Sequence, residues 1–244
     1  MAHQTEPLVL LPGFMSDMRI WGAQIEAMSA MHTLHLANWG AADSVEDMAD
    51  AVLLTAPPRF ALAGHSLGGM VAMEIFRRAP ERVSRLALIS TNCLSETPPA
   101  AAEREVRMVQ AKAGRLAEAL AGEIPERALA DTPYRGDVAA FLRAMGVELG
   151  AETYLRQARA LQRRPDQQRI MRQIKVPVLV CCGAEDGLHL PRRHEFMAGL
   201  VPRADLVVIE GAGHLPMIEA SADLTATLER WMTRVPDTYL LRQR

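Results

Sequence analysis

A serine set between two glycines is the most chemically suggestive feature of this chain. Ala61-Leu62-Ala63-Gly64-His65-Ser66-Leu67-Gly68-Gly69 runs from an apolar, strand-like segment through Gly-x-Ser-x-Gly into an apolar, helix-like one. A serine in a tight strand-to-helix turn is held in a strained backbone that lifts its hydroxyl clear of the sheet edge. The positions two before and two after it must be small, because strand and helix pass close there; Gly64 and Gly68 meet that need. The helix start also aims free N–H groups, and the positive end of its dipole, at charge developing on a substrate. This is the layout of a nucleophile. By itself it also fits a glycine-rich turn that only packs a helix on a sheet.

A serine nucleophile needs a base, and the base needs an acid to orient it. The apolar run Val176–Cys182 leads into Gly183-Ala184-Glu185-Asp186-Gly187, placing Asp186 in a loop after a strand. The run Leu206–Ile209 leads into Glu210-Gly211-Ala212-Gly213-His214-Leu215-Pro216, placing His214 in the loop after the last strand. The order Ser66, Asp186, His214 is the order such a site follows on an open α/β sheet. All three fall at the carboxyl ends of strands, where these sheets keep their sites. Glu185 is the rival to Asp186 as orienting acid.

The elements that must position these groups are legible as short apolar runs. Leu8–Leu11, Leu34–Ala37, Phe60–Ala63, Leu86–Ser90, Val176–Cys182 and Leu206–Ile209 are near-continuous, as expected of parallel strands covered on both faces. Helical patterns lie between them. Trp21, Ile25 and Met28 share a face of a segment that Ser16 is expected to cap, and Ser44 with Asp47 resembles a capping box. Leu67 to Phe76 is apolar nearly all round, a central helix ended by Pro80; Leu224, Leu228, Trp231 and Met232 mark a last helix. The alternation predicts an α/β fold: a doubly wound, mostly parallel sheet with right-handed crossovers. From Cys93 to Gln173 no strand signal appears, and three or four inserted helices are expected there. The domain reading is therefore a core of residues 1–92 and 174–244 with a helical insertion over 93–173. Val235 to Arg244 carry no clear pattern and are expected to be poorly ordered.

Composition narrows the function classes. Apolar residues make up 49% and charged residues 23%, enough for a sizeable core and against a disordered chain. The net charge of -2 gives no electrostatic case for nucleic acid or an anionic membrane surface. The basic residues are arginines except Lys112 and Lys175, and they are scattered among acids. No apolar run approaches the ~18 residues of a membrane helix. No leader pattern precedes Leu8, and Cys93, Cys181 and Cys182 read as reduced core thiols. The expected location is the cytoplasm.

These segments carry a resemblance. Leu11-Pro12-Gly13-Phe14 with Trp21 downstream, Gly64-His65-Ser66-Leu67-Gly68-Gly69, Gly183-Ala184-Glu185-Asp186 and Gly211-Ala212-Gly213-His214 resemble the α/β-hydrolase fold enzymes, over nearly the whole chain. The resemblance implies that residues 93–173 form a cap over the site. It implies an oxyanion hole made by the N–H groups of Leu67 and Phe14. Pro12-Gly13 stands where many members carry His-Gly, and the opening antiparallel strands are expected to be shortened or absent.

On this reading the chain is a serine hydrolase of small to medium carboxylic esters, working through an acyl-enzyme with no cofactor and no metal. Hydrolysis of a carbon–carbon bond in a β-diketone-like substrate, or of an enol-lactone, uses the same triad and is the alternative; an arginine of the cap over the site would favour it. A ligand sensor without turnover, or a lyase acting on cyanohydrins, is a lesser one. Met15, Leu188 and Leu215, beside Phe14 and Leu67, are expected to give an apolar pocket for a small-molecule substrate. Arg135, Arg143, Arg156 and Arg159 are expected on a solvated helix face, with one of them a candidate for a substrate carboxylate. His65 is expected to pack or support, and His189 to be exposed, with lining the site as its alternative. His3, His32, His35 and His194 show no metal-ligand spacing, and Met108, Met145 and Met197 read as packing.

Overall fold

The computed structural model describes residues 6–234; the segment from Val235 onward, and His3, lie outside the described residues. The strands are β1 (Leu8–Leu11), β2 (Leu34–Leu36), β3 (Phe60–His65), β4 (Val83–Ile89), β5 (Val178–Gly183) and β6 (Ala204–Ile209). They form one six-stranded sheet in the order β2-β1-β3-β4-β5-β6, every pair parallel. The helices are α1 (Gly22–Met28), α2 (Val45–Thr55), α3 (Leu67–Arg78), α4 (Pro98–Lys112), α5 (Leu116–Glu123), α6 (Arg135–Arg163), α7 (Gln168–Met171), α8 (Pro191–Leu200), α9 (Pro216–Glu219) and α10 (Ser221–Thr233).

The four inner strands β1, β3, β4 and β5 are buried along their whole length, which is why their sequences are apolar without alternation. Their pleat divides the core in two. Val9, Leu11, Phe60, Leu62, Leu86, Leu88, Val178 and Val180 pack with α2, α3 and α8. Leu8, Leu10, Ala61, Ala63, Ala87, Ile89, Leu179 and Cys181 pack with α1 and α10. The result is the doubly wound α/β sandwich expected. Cys93, Cys181 and Cys182 are buried free thiols. Among the described residues no helix is long and apolar enough to cross a membrane.

Boundaries differ where polar residues hide in the core. β4 begins at Val83, three residues before the apolar run, because Ser84 Oγ donates to the Phe60 carbonyl at 3.0 Å. Arg85 there donates to the carbonyls of Trp231 and Arg234 at the end of α10 and pairs with Glu6 at 3.0 Å, so its charge is met. Ser44 caps α2 as predicted, accepting the Asp47 N–H at 3.0 Å. Ser16 caps nothing: Asp17 accepts the Arg19 N–H at the start of a 3-10 turn, Met18–Trp21, while Ser16 Oγ is buried without a partner among the described residues. Between β4 and β5 lie α4 to α7, with α6 broken at Gly150, whose φ of 83° is a left-handed value suited to glycine.

Candidate active site

Ser66 stands between β3 and α3 with φ 51° and ψ -114°, a strained backbone for a non-glycine residue. Several contacts hold it there. Its N–H donates to the Ile89 carbonyl at 3.0 Å, and its carbonyl accepts Thr91 Oγ1 at 2.6 Å. Thr91 is held in turn by His194, whose Nε2 accepts the Thr91 N–H at 3.1 Å. A Cβ on Gly64 would run into the Gly68 carbonyl, and one on Gly68 into the Pro12 carbonyl. The turn therefore closes only with glycine at both positions.

Asp186 follows β5 and His214 follows β6, so the loops arise from adjacent strands. His214 Nδ1 donates to both Asp186 oxygens, at 3.2 and 3.1 Å, with both residues buried. Asp186 also accepts the N–H groups of Leu188 and His189 at 3.0 and 2.8 Å. Burial acts to raise its pKa, but the His214 ring and His189 outweigh it and hold the carboxyl below the usual range. Glu185 is exposed, and its carboxylate accepts the Asp131 N–H instead. His214 Nε2 is buried with no partner among the described residues, and no hydrogen bond joins it to Ser66 Oγ.

His65 supports without touching the cleft. Its Nε2 donates to the His214 carbonyl at 2.9 Å, and the rings lie 4.9 Å apart. Phe14 lies within the loop after β1 and Leu67 is the first residue of α3; neither N–H donates to another group of the described residues.

A cleft of about 400 Å³ opens at Ser66, lined also by Phe14, Met70, Leu188 and His189. The expectation of apolar walls holds for only part of it. Met15 lines a smaller neighbouring cavity, and Leu215 is buried away from both. The wall also carries Arg104, Arg107, Arg127, Arg164, Arg192 and Arg193, with Glu96, Glu103 and Glu123. His189 is half-buried on this wall and not exposed, because the Asp186 loop folds it back to within 5.4 Å of the His214 ring.

None of the four arginines singled out in the sequence lines this cleft, although Arg143 lines the smaller cavity with Phe14 and Met15. Arg135, Arg143 and Arg156 pair with Asp131, Glu126 and Glu152, and Arg159 does not line the cleft. Periodicity could not separate these from the arginines that do, since the latter sit on α4, α8 and connecting segments. Glu219 was also missed. Its Oε2 accepts the N–H groups of Gly213 and Leu215, at 3.0 and 2.8 Å, on either side of His214. Burial pushes its carboxyl up, only partly offset by the N–H groups it accepts. Met108, Met145 and Met197 are buried, as expected of packing. Among the described residues no group of His, Cys, Asp and Glu is arranged to hold a metal ion.

Comparison with known proteins agrees with this fold. The model of the alpha/beta hydrolase fold family matches residues 6–221. A pimeloyl-[acyl-carrier protein] methyl ester esterase of Aliivibrio salmonicida is 26% identical, over 92% of this chain and 91% of its own. An enzyme of the same name from Pectobacterium carotovorum is 30% identical, over 86% and 88%. Among solved structures, a thermophilic esterase from Thermogutta terrifontis superposes with a TM-score of 0.87 at 26% identity, over 93% of this chain and 89% of its own. The enol-lactonase of Burkholderia xenovorans shares the fold, with a TM-score of 0.79 at 23% identity over 94% and 92%. The chain belongs to the α/β hydrolase fold family and is a carboxylic ester hydrolase.

Proposed function

We propose that the chain cleaves small to medium carboxylic esters with Ser66 as nucleophile, His214 as base and Asp186 as orienting acid. Ser66 Oγ attacks the carbonyl carbon while His214 Nε2 takes its proton, and Asp186 stabilises the imidazolium. The Phe14 and Leu67 N–H groups receive the oxyanion; losing one such donor typically costs ~10²–10³ in turnover. His214 then protonates the leaving alcohol and activates the water that frees the acid. One observation carries this reading. His214 spends Nδ1 on Asp186 and keeps Nε2 buried and unpartnered, in a loop packed on the serine's neighbour His65.

Residues 93–173 are the cap in this proposal, since α4, α5 and the end of α6 supply Arg104, Glu123 and Leu161 to the cleft at Ser66. The cleft favours an ester with an anionic group remote from the carbonyl. Arg127, Arg192 and Arg193 line it with no carboxylate partner among the described residues. Relatives named as pimeloyl-[acyl-carrier protein] methyl ester esterases make an acyl-carrier-linked methyl ester the concrete candidate. The same arginines also favour the second reading, an enol-lactone or carbon–carbon substrate bearing a carboxylate. Labelling with a fluorophosphonate tests the mechanism: the adduct belongs on the peptide containing Ser66, and Asp186→Asn should slow turnover by roughly 10⁴. An adduct elsewhere, or an unaffected Asp186→Asn enzyme, contradicts it.

A further inference from the structure

The loop that follows β1 is gripped from the helical insertion at successive residues. Met15 has φ 48°, unusual for a non-glycine residue, and its N–H donates to Gln157 Oε1 of α6 at 2.7 Å, both residues buried. The Phe14 ring stands edge-on to Tyr154, centroids 5.5 Å apart, with the Arg104 guanidinium 5.8 Å from its centre. Tyr154 Oη donates to Glu123 at 2.7 Å, and Arg104 pairs with the same carboxylate. Two residues on, the Asp17 N–H donates to Met145 Sδ at 3.2 Å, and Arg19 pairs with Glu148 at 2.7 Å.

Simple coverage of the cleft would need only apolar contacts. A buried amide oxygen placed on one backbone N–H is a more specific device, because it fixes the direction of the peptide chain on which that N–H lies. The peptide before it carries the Phe14 N–H. With Met15 tied to Gln157 and the Phe14 ring tied to Tyr154 and Arg104, that N–H is left unpaired in one orientation.

We infer that Gln157 is a positioning residue of the oxyanion hole: α6 holds the Met15 N–H and so sets the Phe14 N–H that receives the oxyanion. The helical insertion is thereby part of the catalytic apparatus as well as a cover for it. This rests on the assignment of the Phe14 N–H made above.

Steady-state kinetics on a p-nitrophenyl ester, with inhibition by n-butylboronic acid, tests the inference. The boronate forms a tetrahedral adduct on the serine and places an oxygen in the hole, so it reads the donors directly. Gln157→Leu, one atom shorter and without the acceptor, is expected to lower kcat roughly ten- to hundredfold, with KM nearly unchanged. Boronate inhibition should weaken by a similar factor. Gln157→Glu, which keeps an acceptor oxygen, should recover most of the loss. Gln162→Leu removes bonds from α6 to the Ala101 carbonyl and Glu105, neither of them a contact of the loop, and should leave kcat alone. Should Gln157→Leu not fold, Gln157→Asn, one methylene shorter, carries the same expectation. Unchanged kcat and boronate affinity in a folded Gln157 variant, or an equal loss in Gln162→Leu, would overturn the inference while leaving the triad standing. A wild-type enzyme that neither turns over esters nor binds boronate would overturn the triad reading and this one with it.

Discussion

Ala130 and Glu219 meet in a 2.6 Å hydrogen bond from the Ala130 N–H to Glu219 Oε1, joining the helical insertion to the loop that carries His214. The other Glu219 oxygen takes the N–H groups that flank His214. His214 itself donates its N–H to the Ala128 carbonyl at 2.8 Å and receives His65 on its own carbonyl. With Asp186 on its ring, His214 is therefore held from four sides.

Replacing Glu219 with Gln exchanges a charged acceptor for an amide that faces at least one N–H with an NH₂ group. The expected cost is about 1–3 kcal/mol of stability, with kcat lowered about tenfold through a loosened His214. Urea unfolding and ester kinetics on the folded variant check both. No change in either would show that the loop needs no carboxylate.

His65 and His194 make stability depend on pH. Burial, and for His65 also the neighbouring His214, push protonation down to about 3 and about 4, from an ordinary 6.5. Below 6.5 the unfolded chain binds protons that the folded one refuses. Stability is therefore complete above that value and falls as pH drops toward 4, by up to roughly 1.4 kcal/mol per pH unit for each histidine. Unfolding midpoints measured from pH 7 down to about 4.5 should decline steadily, and His194→Asn should flatten the slope. A level profile would contradict the neutral, buried state of both rings.

The serine turn predicts a sharp steric effect. Gly64→Ala puts a methyl group against the Gly68 carbonyl and the Gly69 nitrogen, backbone atoms with no freedom to rotate away. Overpacking of this kind costs about 1–3 kcal/mol or more, and here it also displaces Ser66. Activity should be lost even in protein that still folds. Gly22→Ala, in open surroundings at the start of α1, serves as the control and should behave like wild type.

The parts of this site that chemistry dictates were readable in the sequence, and the parts that tertiary contact dictates were not. Gly64, Ser66 and Gly68 announce themselves because a tight turn constrains residue size at fixed spacing. Asp186 and His214 follow apolar runs that become adjacent strands, so their pairing follows from topology. The cleft wall did not follow: Arg127, Arg192 and Arg193 look like any exposed arginines until α4, α5 and α8 are brought together. His189 looked exposed because nothing local shows that Asp186 accepts its N–H and folds it back. Gln157 gave no signal at all, lying 142 residues from the N–H it accepts. Glu219, five residues after His214, had only its place at the end of a short helix to suggest a role.

Steady-state hydrolysis of p-nitrophenyl esters of increasing acyl length, by the wild-type enzyme and Ser66→Ala, tests the central claim most directly. The account predicts saturable turnover that peaks at one acyl length and falls by roughly 10³ or more in Ser66→Ala. Comparable turnover by folded Ser66→Ala, or none by folded wild type on any ester of the series, would contradict it.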